Sequence, residues 1–131
     1  MFRFISMENP LIAIIEDDRF YASIVSSRLE SLGYRVFHET NGEDGLRKVK
    51  EKTPQLVLLD IGLPGMDGFQ GLQGIRDDSE TFMIPVFMVT RLCDREDVAR
   101  AFALGANQYL VKNQHPIEDL VHHIERQLAV V

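Results

Sequence analysis

Leu56-Val57-Leu58-Leu59-Asp60-Ile61-Gly62-Leu63-Pro64-Gly65-Met66-Asp67-Gly68 is the stretch that decides the fold. Its first four residues are apolar without alternation, which is the pattern of a strand buried on both faces. Asp60 then leaves that strand into a loop rich in proline and glycine. A carboxylate in that place is expected to be exposed yet rigidly held. Three other apolar runs end the same way, on a chemically useful residue. Leu11 to Ile15 runs into Glu16-Asp17-Asp18, Pro85 to Val89 into Thr90, and Tyr109 to Val111 into Lys112. If the strands are parallel, carboxylates, a hydroxyl and an ammonium meet on one edge of one sheet.

Helical patterns separate the runs. Arg19 to Leu32 reads as a helix with Phe20, Ile24, Val25 and Leu29 near helical spacing, stopped by Gly33 in the left-handed conformation. Tyr34 to His38 reads as a second, more polar strand. Asn41 to Lys52 reads as a helix with Leu46 and Val49 inward, closed by Thr53-Pro54. A helix is expected near Phe69 to Arg76, although Gly71 and Gly74 each weaken it by about 1 kcal/mol relative to alanine. Ile84 to Thr90 is the fourth strand, Asp94 to Leu104 a helix ended by Gly105, and Gln108 to Lys112 the fifth strand. Pro116 to Leu128 closes the chain as a helix with Ile117, Leu120, Val121, Ile124 and Leu128 on one stripe.

This alternation predicts an α/β domain, a doubly wound five-stranded parallel sheet with helices on both faces. The first, third and fourth strands are the most apolar and belong in the centre. The second and fifth are more polar and suit the edges. The order 2-1-3-4-5 satisfies both, and it places a ligand crevice beyond the carboxyl ends of strands 1 and 3. Asp17 and Asp60 follow those two strands.

The bulk numbers agree with one domain of ordinary size, 131 residues with 45% hydrophobic and 26% charged. Residues 1–10 read as a tail, with Met7 an alternative start, and residues 11–131 as the folded unit. A net charge of −6 argues against a nucleic-acid-binding surface here. The one cysteine, Cys93, fits a reducing cytosol. No run reaches the length of a membrane span, and the N-terminus lacks the apolar core of a signal peptide.

Carboxylates converging at one point repel, and a divalent cation relieves that repulsion. All-oxygen ligation by few protein groups suits Mg²⁺. Glu16, Asp17 and Asp60, with the Gly62 carbonyl, are the candidate ligands. A carboxylate can also be a nucleophile, forming an aspartyl phosphate. Phosphoryl transfer demands chiefly positioning and charge neutralisation, which Mg²⁺, Lys112 and Thr90 would share.

These residues resemble those of response-regulator receiver domains of two-component signalling, over about Leu11 to Leu128. The resemblance rests on Glu16-Asp17, on Leu59 to Gly68, on Thr90 and on Gly105-Ala106-Asn107-Gln108-Tyr109-Leu110-Val111-Lys112, in order and at the right strand ends. It implies a flavodoxin-like fold of the chemotaxis-receiver type. It implies that Asp60 accepts a phosphoryl group from a histidine kinase or phosphotransfer protein. Asp17 would ligate Mg²⁺ directly and Glu16 mostly through water, while Thr90 and Lys112 would contact the phosphoryl group. Tyr109 occupies the switch-aromatic position and would turn inward as Thr90 moves. That change would alter the face made by the fourth helix, fifth strand and fifth helix, where a downstream protein, a fused output domain or a second copy would bind. The implied role is a switch rather than a metabolic enzyme, in the cytoplasm, without nucleic-acid or membrane binding by this domain.

Two residues depart from the family pattern. Arg91 stands where a small residue is usual, and would either shield the phosphoryl group, prolonging its life, or lie outward. Asn113 replaces the usual proline after Lys112, so that loop is expected to differ, and the family pattern fixes the placement of Lys112 less firmly. Gly62 offers no side chain to order or block an attacking water. Two rival readings follow. A degenerate receiver would bind partners without phosphate. An aspartate-nucleophile phosphatase would carry an acid/base aspartate where this chain has Gly62. Asp18 reads as a helix cap. The four histidines lack ligand spacing, and the charged run Asp94 to Asp97 with Arg100 reads as a solvated helix face.

Overall fold

The structure is a computed structural model that describes residues 9–129. Most of the expected tail, residues 1–8, therefore lies outside the described residues. Five strands and five helices alternate: β1 Leu11–Ile15, α1 Arg19–Ser31, β2 Arg35–Glu39, α2 Gly42–Lys52, β3 Leu56–Leu59, α3 Gly68–Arg76, β4 Val86–Thr90, α4 Arg95–Ala103, β5 Gln108–Val111 and α5 Ile117–Leu128. All pairings are parallel, and the order is β2-β1-β3-β4-β5, as the polarity of the strands predicts.

Strand side chains alternate between two cores. Ile12, Ile14, Leu56, Leu58, Phe87 and Val89 face α1 and α5, meeting Val25, Leu29, Leu120 and Ile124. Ala13, Ile15, Val57, Leu59, Val86 and Met88 face the other way, meeting Val49, Phe69, Leu72, Ile75 and Ala101 of α2, α3 and α4. Both faces of β1, β3 and β4 are thus covered, which is why their sequences do not alternate in polarity.

Several expectations need correction. The buried stripe of α1 is Ala22, Val25 and Leu29, whereas Phe20 is 74% and Ile24 38% exposed. Spacing alone could not tell which of two overlapping apolar stripes meets the sheet. The fourth strand starts at Val86, not Ile84. Ile84 closes a turn through its N–H on the Thr81 carbonyl, and its own carbonyl accepts from Arg76 Nη1 at 2.7 Å. The second strand starts at Arg35, because Tyr34 belongs to the helix stop. Gly33 has φ +96°, and the Tyr34 N–H returns to the Leu29 carbonyl at 3.2 Å.

Helix α3 forms despite its glycines. Asp67 accepts from the Gln70 N–H, and the Gln70 side chain accepts from the Asp67 N–H, a reciprocal capping box. The glycines also let α3 approach its neighbours. A Cβ at Gly74 would meet Leu46 Cδ2 at 2.5 Å, and one at Gly68 would meet the Asp60 carbonyl oxygen at 2.2 Å.

Candidate functional site

The carboxyl ends of β1, β3, β4 and β5 open into one cleft of about 330 Å³. Glu16, Asp17 and Asp18 reach it from the β1–α1 loop, Asp60 and Gly62 from the loop after β3, Thr90 from the end of β4 with Arg91 and Leu92 just beyond it, and Lys112 from just after β5. Every residue named for the site from sequence, Tyr109 apart, lines this cleft. Glu16, Asp17 and Asp60 each offer a carboxylate oxygen, and those oxygens lie within 4.8 Å of one another.

Lys112 ties the site together. Its Nζ lies 2.5 Å from Glu16 Oε1 and 3.2 Å from Asp60 Oδ2, with its side chain only 7% exposed. Its backbone N–H donates to the Thr90 carbonyl at 2.8 Å, which ties the end of β5 to the end of β4. No cis peptide bond occurs among the described residues, and Lys112 reaches Asp60 with Asn113 following it. Asp60 is 8% exposed, buried rather than open as its loop context suggested. The Gly62 N–H donates to Asp60 Oδ1 at 3.3 Å, and a Cβ at Gly62 would meet nothing within 4 Å. The cleft is therefore roomy beside the carboxylate.

Electrostatics follow from burial. The Glu16 carboxyl is pushed from 4.5 up to about 7 by desolvation; the hydrogen bond from Lys112 opposes the rise and the charge of Asp60 adds to it. Two partly compensated carboxylates around one ammonium make a site short of positive charge. The donor set is all oxygen and offers few protein ligands, which fits a hard divalent cation that keeps several waters. His38 fixes one edge, its Nε2 lying 2.7 Å from the Glu16 carbonyl oxygen. Sequence reading passed over this contact because it needs the parallel register that sets Ile14 beside His38.

Asp18 caps α1, accepting from the Tyr21 N–H at 3.0 Å, and that bond holds its carboxyl below the usual range. Its other oxygen lies 3.5 Å from Arg91 Nη2. Arg91 is thus drawn toward the β1–α1 loop at the rim of the cleft, although 74% of its side chain is exposed. Tyr109 sits outside the cleft, donating its hydroxyl to the Leu92 carbonyl at 2.8 Å and so bracing the loop after Thr90. Burial pushes its phenol up to about 12.

A family model described as the response regulator receiver domain matches residues 12–125. The chain belongs to that family. Among similar receiver-containing proteins, the DNA-binding dual master transcriptional regulator RpaA of Synechocystis is 40% identical over 103 residues, 79% of this chain and 43% of the relative. The chain spans less than half the length of the curated relatives that it first matches. Among solved receivers, the Vibrio cholerae chemotaxis protein CheY4 superposes with a TM-score of 0.84 at 26% identity, covering 91% of this chain and 98% of that one. The receiver domain of the Pseudomonas aeruginosa sensor histidine kinase PA1611, solved with magnesium in its active site cleft, gives 0.82 at 25% identity over 91% and 97%. Among the described residues, no helix is long and apolar enough to cross a membrane.

Sequence reading missed Tyr21, whose ring lies under Lys112, and Gly68, whose missing side chain admits the Asp60 backbone. The glycine was visible within the quoted loop, but only the fold shows what it touches.

Proposed function

We propose that this receiver accepts a phosphoryl group on Asp60 from a histidine kinase or phosphotransfer protein, and that it works as a switch rather than a metabolic enzyme. The observation that carries the reading is the convergence of Asp60, Glu16 and Lys112 within hydrogen-bond reach inside one cleft. An Asp60 carboxylate oxygen attacks phosphorus. The donor's P–N bond breaks, and its electron pair returns to the imidazole nitrogen. Lys112 meets the charge on the transferred oxygens, with Thr90 beside it. Glu16, Asp17 and Asp60, with the Gly62 carbonyl, would hold Mg²⁺, which supplies neutralisation of the phosphoryl oxygens.

Tyr109 and Thr90 would carry the change outward, through Leu92, to the face of α4, β5 and α5. Partners there are a downstream protein, an output domain fused to this unit, or a second copy of the receiver. The cytoplasm, where histidine kinases present their phosphoryl groups, is the setting that fits, and residues 11–131 are the functional unit.

Intact mass after incubation with Mg²⁺ and a small phosphodonor tests this directly. One added phosphoryl group is expected, absent without Mg²⁺ and absent in Asp60→Asn. Folded protein that gains nothing would support instead a phosphate-independent binding module.

A further inference from the structure

The ammonium of Lys112 has a third neighbour besides its two carboxylates. The ring of Tyr21 lies with its centroid 4.7 Å from Nζ. Tyr21 stands in the first turn of α1, and its N–H is fixed by the Asp18 cap at 3.0 Å. Its half-buried ring rests on the core shared with Val25 and Leu120. Helix start and core together set the ring in place, and the ammonium lies over it.

The three neighbours differ in what happens to them during phosphoryl transfer. Glu16 and Asp60 have competing duties. Once Asp60 carries a phosphoryl group and Glu16 faces a cation, neither carboxylate is free to hold Lys112 where it stands. The ring has no such duty. Its face attracts a cation, and more strongly where water is excluded. It offers no lone-pair acceptor to hold the ammonium back from a phosphoryl oxygen. A phenol is neutral at physiological pH, and burial and the nearby carboxylates push the Tyr21 hydroxyl up further, to about 12.

We propose that Tyr21 is a positioning residue for phosphoryl transfer, its ring face keeping the Lys112 ammonium over Asp60 when the two carboxylates turn to the metal and the phosphoryl group. The proposal rests on the phosphoacceptor reading above.

The test uses the full chain with Mg²⁺ and phosphoramidate as donor, and intact mass as the readout of rate. Tyr21→Leu keeps apolar bulk and removes the ring face. It is expected to lower the maximal rate by roughly 3–30-fold while the Mg²⁺ concentration for half-maximal rate stays unchanged. Tyr21→Phe restores the ring and is expected to rescue the rate. In a Lys112→Gln background the Tyr21→Leu loss disappears, because both changes act on one group. Equal rates in wild type and Tyr21→Leu overturn the proposal. So does a loss that persists with Lys112→Gln, or a Tyr21→Phe defect as large as that of Tyr21→Leu. A wild type that takes no phosphoryl group overturns the phosphoacceptor reading and this one with it, a result distinct from a phosphorylated wild type indifferent to Tyr21. Should Tyr21→Leu fail to fold, wild-type NMR decides. Lys112 ε-methylene protons shifted upfield by the ring, both with and without beryllofluoride, support the proposal. Ordinary lysine shifts in the beryllofluoride complex overturn it.

Discussion

Replacing Glu16 by glutamine keeps its shape and removes its charge, and the structure says what this does to stability. Glu16 is 3% exposed, and its carboxyl is raised from 4.5 to about 7, chiefly by burial. A raised value means that the folded state holds this proton more tightly than the unfolded chain does. The contribution is therefore fully present below about pH 4.5 and is lost as pH rises through about 7. The shift corresponds to about 3 kcal/mol, of which roughly 2–3 belongs to this residue once sharing with Lys112 and Asp60 is allowed for. Glutamine has nothing to lose over that range. In chelator at about pH 8, Glu16→Gln is expected to unfold later in urea, by those roughly 2–3 kcal/mol. For 131 residues this is a rise in Tm of about 7–11 °C. At about pH 5 the gain falls below about 1 kcal/mol. Mg²⁺ at the higher pH narrows the gap, because the wild type gains more from binding it. A variant no more stable than wild type at about pH 8 in chelator would refute the reasoning. It would mean that the Glu16–Lys112 pair outweighs the desolvation of its charge.

Gly68→Ala is expected to destabilise the fold by about 2 kcal/mol or more and to slow Asp60 phosphorylation, since the added Cβ meets the Asp60 carbonyl oxygen at 2.2 Å; urea midpoints and intact mass check both. Arg91→Ala is expected to leave stability within about 0.5 kcal/mol, because its pair with Asp18 is exposed, while shortening the phosphoryl lifetime followed by mass after donor removal; an unchanged lifetime places Arg91 outside the path of water. Arg76→Lys is expected to cost about 1–3 kcal/mol in urea denaturation, because Arg76 donates to the carbonyls of Phe82, Ile84 and Gly105 and to Asn107 Oδ1, a spread that one ammonium cannot reach.

By itself the sequence determined the strand order and the chemistry at the strand ends. Unbroken apolar runs mark β1, β3 and β4 as covered on both faces, and in a parallel sheet whatever follows such runs must gather at one edge. Asp17, Asp60, Thr90 and Lys112 were legible for that reason, and Glu16 with them. Boundaries were less legible where local pattern competes with tertiary contacts. Ile84 looks like strand, yet the Arg76 guanidinium claims its carbonyl. Phe20 and Ile24 look like core, yet the sheet takes the neighbouring stripe. Only the tertiary structure decided who touches whom at the site. The burial of Asp60, the double grip of Lys112, the His38 contact to Glu16 and the Tyr21 ring under the ammonium all join residues far apart in the chain. Such contacts depend on strand register, helix rotation and side-chain direction together, and periodicity along a sequence specifies none of these to the ångström that hydrogen bonds and cation–π contacts require.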